Sequence, residues 1–213
     1  MMKTPAVLVA LGVAVAGLIF SSPARAQAIA TRAQLDTILS DQMQLEDFEG
    51  VSLAGGSSLQ APNPLNSMTQ PNWGLLSGIT YSSPGSLTLY SSSSNILQGT
   101  TSLTITFNQP QLAMGLSIID QTGNLTYHDV VSFYNGNSLL GSLPFDLAPA
   151  SMAFAGWQAP GVGITRVVIT SDQQAVIDDV EWGRAVVPEP GTMWLAAVGG
   201  AALLAYARKR RQG

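Results

Sequence analysis

Cysteine is missing from this chain, which excludes disulfide staples, thiolate metal sites and cysteine nucleophiles together. Histidine occurs once, at His128, so counting alone excludes a zinc site of the usual two- or three-histidine kind. Charge is scarce as well: Asp, Glu, Lys and Arg make up 10% of the 213 residues, against about 25% in an ordinary soluble protein. Solubility must therefore rest on Ser, Thr, Asn and Gln. Positive charge is scarcest of all away from the ends. Lys3 and Arg25 sit in the first segment, and Arg208, Lys209, Arg210 and Arg211 close the chain, which leaves Arg32, Arg166 and Arg184 between them. With Glu189 counted beside the tail, twelve of the thirteen acids face those three arginines. So acidic a middle repels phosphate backbones, which excludes nucleic acid as a partner and favours soluble sugars or cations.

Long apolar runs are confined to the two ends. The opening "MMKTPAVLVALGVAVAGLIFSSPARAQA" has Lys3, an apolar stretch over 6–20, then Ser-Ser-Pro and Ala24-Arg25-Ala26. A basic start, a short hydrophobic core and an A-x-A site describe a secretory signal peptide over 1–26, cleaved after Ala26 or after Ala28. At the other end, residues 192–207 would rise about 24 Å as a helix. That is short for a hydrocarbon core of ~30 Å but workable with snorkelling flanks or a thinned bilayer. Arg208, Lys209, Arg210 and Arg211 then act as a membrane stop that stays cytoplasmic. The middle of the chain faces away from the cytoplasm.

Pro188 and Pro190 flank Glu189 just before that helix. Each proline holds the residue before it in an extended conformation, so 186–191 reads either as a stiff, accessible strip at the membrane surface or, on the same physics, as a linker that merely stops the helix. Pro188-Glu189-Pro190, an apolar span with small residues and a terminal Arg/Lys cluster together resemble a PEP-CTERM sorting signal over roughly the last 26 residues. The resemblance implies recognition and cleavage by an exosortase near Pro188, Glu189 and Pro190. It implies an inner-membrane-anchored precursor facing the periplasm of a Gram-negative bacterium, then transfer to the cell surface or extracellular matrix. Exopolysaccharide and biofilm matrix are the surroundings such a signal implies.

Between the ends the pattern changes twice. "TRAQLDTILSDQMQLEDFEG" spaces Leu35, Ile38, Leu39, Met43 and Leu45 helically, and Thr31 with Gln34 fits a capping box, which predicts a helix over 31–44 within a leader spanning 27–45. From Glu46 the period is two. "SLTITF" sets Leu103, Ile105 and Phe107 on one face, "SLTLY" and "AMGLSIID" alternate likewise, and "RVVIT" is a compact β-branched run. Turn signals separate these runs, and Asn135-Gly136-Asn137 marks a hairpin in "VVSFYNGNSLLGSL". Residues 54–72, rich in Gly, Ser, Asn and Pro, predict an extended surface loop. The expected fold is all-β, an antiparallel β-sandwich over 46–185. The order of "DFEG", "FAGWQAPGVGITRVVITS" and "IDDVEWG" is similar to the jelly-roll-like domains of PEP-CTERM proteins over most of 47–183. That likeness implies a sandwich resembling a carbohydrate-binding module.

Few residues in the middle carry chemistry. In "AVIDDVEWG" a regular strand would set Val176, Asp178, Val180 and Trp182 on one face, drawing Asp178 inward, where it needs hydrogen bonds or a cation. Asp47 and Glu49 fall on the candidate first strand, and first and last strands of sandwiches often lie together. Asp47, Glu49, Asp178 and Asp179 are therefore candidate ligands for structural Ca²⁺, although no consecutive D-x-D-x-D-G loop occurs. His128 and Asp129 are neighbours on a strand and point apart, and no G-x-S-x-G elbow is present, so a triad is not assembled locally. Among the aromatics, Trp73 in its Pro/Asn/Gly-rich loop is the candidate exposed platform for a sugar ring, whereas Trp157 belongs to the core. The leading reading is a non-enzymatic exported surface protein whose partners are exosortase, the membrane and polysaccharide. A carbohydrate-binding module with structural calcium is the alternative, and a secreted glycoside or ester hydrolase comes third.

Overall fold

Residues 25–121 and 126–184 are described by a computed structural model of the chain. The expected signal peptide over 1–26, apart from its last two residues, lies outside them, as do the Pro-Glu-Pro strip, the expected helix over 192–207 and the basic tail. Among the described residues no helix is long and apolar enough to cross a membrane.

The chain enters as a short strand, β1 (Gln27–Ile29), followed by helix α1 (Arg32–Leu39). The N-cap half of the capping expectation holds, since Gln34 N–H donates to Thr31 Oγ1 at 3.3 Å; the Gln34 side chain reaches one residue further back than a capping box requires, Oε1 accepting from Ala30 N–H at 3.0 Å. The helix is shorter than 31–44. It buries only Leu35 and Leu39, and Ser40 turns to φ 48° to begin a single 3₁₀ turn (Ser40–Gln42). Met43 and Leu45, which helical spacing had aligned with the apolar stripe, stay exposed, and the chain pairs its backbone instead as β2 (Gln44–Glu46). Because β1 and β2 both join a sheet, the 27–45 leader is part of the sandwich rather than a segment preceding it.

Eleven strands follow: β3 (Ser58–Ala61), β4 (Ile79–Ser82), β5 (Leu87–Ser91), β6 (Asn95–Gln98), β7 (Ser102–Gln111), β8 (Ala113–Ile119), β9 (Tyr127–Asn135), β10 (Ser138–Leu147), β11 (Met152–Gln158), β12 (Ile164–Ser171) and β13 (Val176–Gly183). One sheet runs β1-β11-β8-β13-β6-β5-β3, with β2 also on β13; the other runs β10-β9-β12-β7-β4. Every pairing between these strands is antiparallel. The architecture is the expected antiparallel sandwich. Within the region read as loop, β3 pairs with β5 and thereby extends the larger sheet.

Alternation sets the core. Leu103, Ile105 and Phe107 of β7, Val131 and Phe133 of β9, and Val167 and Ile169 of β12 face Met114, Leu116 and Ile118 of β8 across the interior. The β9–β10 hairpin turns on Gly136 at φ 55°, with Asn135 paired to Ser138. The larger sheet is buried on both sides where α1 crosses its outer face, packing Leu35 and Leu39 with Ile29, Ala113 and Phe154. Gly115 is what permits this close approach, since a Cβ there would collide with the Phe154 ring and the end of Leu35.

An ion pair fastens the helix to that face. Arg32 Nη1 lies 2.7 Å from Glu181 Oε1 and 3.1 Å from Asp179 Oδ2, and Nη2 donates to Ser117 Oγ at 3.0 Å. Glu181 is 2% exposed and its second oxygen has no hydrogen-bond partner, so Arg32 supplies its compensation. Arg32→Ala is expected to cost about 3 kcal/mol in denaturant unfolding, since it strands a buried carboxylate. Adding Glu181→Gln should recover part of that loss; an Arg32→Ala variant as stable as wild type would show that the tie holds nothing.

Candidate functional site

The acidic cluster arises where β13 changes neighbours. On the side away from β8, its first residues Val176 and Ile177 pair with β6, and Val180 to Trp182 pair with β2. Between these two partners the register on β8 shifts, Asp178 facing Ser117 and Glu181 facing Gly115, and Asp179 adopts φ 48°. The bulge overturns the expected face assignment. Ile177 points into the core before it, Val180 and Trp182 point in after it, and Asp178 and Glu181 both lie on the outer face. Asp178 is thus drawn not into the core but into a cleft on the outside of the larger sheet.

That cleft, about 500 Å³, is lined by Asp47, Glu49, Asp178 and Asp179 together with Ser92–Ser94. All four candidate ligands are brought together. Asp47 and Glu49 are not on the first strand but in the turn just after β2, where Phe48 takes φ 57° and buries its ring. Asn95 binds that turn to the β5–β6 corner: its side chain donates to Phe48 O at 3.2 Å and Val51 O at 2.6 Å, and its N–H donates to Glu49 Oε1 at 2.6 Å. Asp178 accepts from Ser94 Oγ and from Asp179 N–H, both at 2.8 Å, and Asp47 Oδ1 accepts from Glu49 N–H at 3.1 Å. Protein donors thus occupy the carboxylates, and among the described residues no group of three or more His, Asp or Glu side chains is disposed to hold a metal ion. Sequence reasoning missed Arg32, Ser94 and Asn95. Arg32 alone left a signal, as one of three cations available to a strongly acidic middle.

Electrostatics in the cleft run one way. Burial pushes Asp178 from 3.8 up to about 6, with the Asp179 and Glu49 charges adding to the rise and the Ser94 and Asp179 hydrogen bonds opposing it. Burial also raises Glu181, against the pull of Arg32. It raises Glu46, at the end of β2, despite bonds from Leu76 N–H at 2.7 Å and Phe48 N–H at 3.4 Å. Near Glu46 the fully buried Tyr81 hydroxyl is pushed well above its usual range, by burial first and the Glu46 charge second.

Trp73 is not the exposed platform that its loop composition predicts. It ends a one-turn 3₁₀ segment (Pro71–Trp73), is 9% exposed and joins the main core, because the Gly/Pro-rich loop folds back with its carbonyl against Gly50. Trp157 takes its expected core place, stacked on Phe133 at 5.3 Å. Tyr134 lies on the outward face of β9, beneath the Arg166 guanidinium at 4.4 Å. His128 and Asp129 point apart: Nδ1 of the exposed His128 lies 2.7 Å from Asp146 Oδ1, while Asp129 is buried.

Beyond Arg184 the sequence departs from the sandwich, and residues 186–211 match the family model described as the PEP-CTERM protein-sorting motif. The chain carries a PEP-CTERM sorting motif. The stretch includes Pro188, Glu189, Pro190 and the Arg208, Lys209, Arg210 and Arg211 cluster, all outside the described residues. No curated protein sequence matches the chain. Among solved structures it is similar to the K2 cleaved adhesin domain of Lys-gingipain (Kgp), at 13% identity over 66% of this chain and 98% of that one, TM-score 0.35. It is also similar to the Clostridium thermocellum xylanase 10B CBM22-1-GH10 modules complexed with xylohexaose, at 16% identity over 68% of this chain and 29% of that one, TM-score 0.30. The enzymatically active domain of the Bacteriophage CBA120 tailspike protein 4 matches at 10% identity over 67% and 18%, TM-score 0.24. The chain therefore spans less than a third of the xylanase chain and less than a fifth of the tailspike.

An acid whose pKa is higher folded than unfolded takes up a proton on folding, so its stabilisation is complete below the ordinary value and is lost as pH rises through the folded one. Asp178 places that loss between pH 3.8 and about 6, and Glu46 and Glu181 act in the same sense. The melting temperature should be higher at pH 5 than at pH 7.5, with a smaller difference in Asp178→Asn. A wild-type profile flat across this window would refute the assignment.

Proposed function

We propose that this chain is an exported surface or matrix protein whose 186–211 segment is read and cleaved by an exosortase, the sandwich being its displayed, non-catalytic cargo. The observation that carries the reading is the PEP-CTERM motif at 186–211. The basic, apolar and A-x-A order of 1–26 supports it from the other end, as an export signal. In this scheme residues 192–207 hold a precursor in the inner membrane, and Arg208, Lys209, Arg210 and Arg211 stop it there. Pro188, Glu189 and Pro190 form the recognised strip, and cleavage releases the sandwich toward exopolysaccharide or biofilm matrix. In the native host, replacing Pro188, Glu189 and Pro190 together by Ala should abolish the shortened mature form on immunoblots and leave the precursor in membrane fractions. Unchanged processing would refute the exosortase reading.

We also propose that the cleft of Asp47, Glu49, Asp178 and Asp179 takes Ca²⁺, with carboxylate oxygens as its ligands. Support comes from four acids lining one hollow and from the like-charge crowding on Asp178 that a cation would relieve. Ligation requires Asp47 and Asp179 to swing from their present partners toward Asp178. At pH 7.5, millimolar Ca²⁺ should raise the melting temperature over EDTA in wild type and not in Asp178→Asn. Equal melting temperatures with Ca²⁺ and EDTA would remove the calcium reading while leaving the sorting reading intact.

A further inference from the structure

Another buried carboxyl lies at the corner where β8 ends and β9 begins, outside the lining of the cleft. Asp129 falls in line with Tyr127, Val131 and Phe133 on the inward face of β9, and it is 1% exposed. Neither of its oxygens has a hydrogen-bond partner of good geometry, the Ser171 hydroxyl of β12 being the nearby donor that still favours the ionised form. Phe145 of β10 stands beside it on one flank and Ser171 of β12 on the other. Burial is the main influence raising its pKa; the Ser171 hydroxyl offsets part of the rise, and the charges of Asp172 and Asp120 add to it. Asp120, at the end of β8, is itself 1% exposed.

Among the described residues, His128 is the one positively charged influence on Asp129. His128, the neighbour on β9, points outward to Asp146 of β10 and lowers the Asp129 pKa only as a minor influence. Arg32 is held by Glu181 and Asp179, and Arg166 lies over Tyr134 five residues further along β9. The 121–126 segment, Gln-Thr-Gly-Asn-Leu-Thr, carries no charge by sequence. An ionised carboxylate without hydrogen bonds or counter-ion is strongly disfavoured in an apolar interior, and a bound proton removes the penalty.

We infer that Asp129 is a neutral carboxylic acid in the folded protein at neutral pH, and that its ionisation in alkali loosens the corner joining β8, β9 and β12. The corner is tight while the proton is bound and weakens as pH rises through the titration of Asp129, because the unfolded chain releases that proton more readily. The device makes the domain sensitive to alkali at one end, independently of the outer cleft.

Carbon-13 NMR of the aspartate-labelled full-length protein tests this directly. The Asp129 carboxyl, assigned through its own β-carbon, should keep its acid-form shift at pH 7 and titrate only above it, in wild type and in Asp178→Asn alike. Amide exchange in β9 and β12 peptides, corrected for intrinsic rates, should speed up between pH 7 and pH 9 in wild type and not in Asp129→Asn. An Asp129 signal already in the carboxylate form at pH 7 overturns the inference. So does a carboxylate signal that shifts on adding Ca²⁺, which would make the corner a cation site. The wild-type titration decides the matter even if the Asn variant fails to fold.

Discussion

One guanidinium holds the acidic outer face together. Arg32 reaches from a short helix to a glutamate that the sheet has all but closed over, and it takes Asp179 and Ser117 in the same grip. A buried ion pair of this kind does not by itself add much stability, but the buried glutamate requires its partner. That requirement fixes where α1 lies, and α1 in turn covers the outer sides of β8 and β11 that would otherwise present Ala113 and Phe154 to water. With three arginines spread through so acidic a middle, this is the one place where a cation meets a buried carboxylate among the described residues. The remaining buried acids must be satisfied by amides, hydroxyls or protons.

The bulge at Asp179 arises from the same economy of partners. β13 has a continuous neighbour in β8 but two short ones, β6 and β2, on its other side, and the extra residue falls at the changeover. The Asp47–Glu49 turn and the Ser92–Ser94 corner close around the gap between β6 and β2, which is why acids distant in sequence line one hollow. Position in the sheet, more than the identity of any single acid, makes the cleft.

How much of this could be read from sequence depended on the range of the interaction. Leu103, Ile105 and Phe107 alternate because one sheet face is dry, and that pattern survives in the structure. Thr31 with Gln34, and Gly136 at its turn, are local signals and were legible for the same reason. The length of α1 was not, because Leu45 is helical by spacing yet lies where the backbone finds a strand partner in β13, with Met43 already extended just before it. Nor was the outward turn of Asp178, since a non-glycine residue at positive φ leaves no mark in composition. Trp73 was misjudged because a loop rich in Gly and Pro reads as exposed, whereas its docking against Gly50 depends on residues more than twenty positions away. The convergence of Asp47 and Glu49 with Asp178 and Asp179 was anticipated from the meeting of first and last strands, although the two N-terminal acids stand beyond β2 instead of on it.

The last strand has a mechanical consequence. β13 runs through the interior of the larger sheet and leads, one residue past its end at Arg184, toward the 186–211 segment. Tension applied through that segment acts along the axis of a strand bonded on both flanks, to β8 on one side and to β2 and β6 on the other. Such a load would shear many bonds at once where an edge strand would unzip them singly.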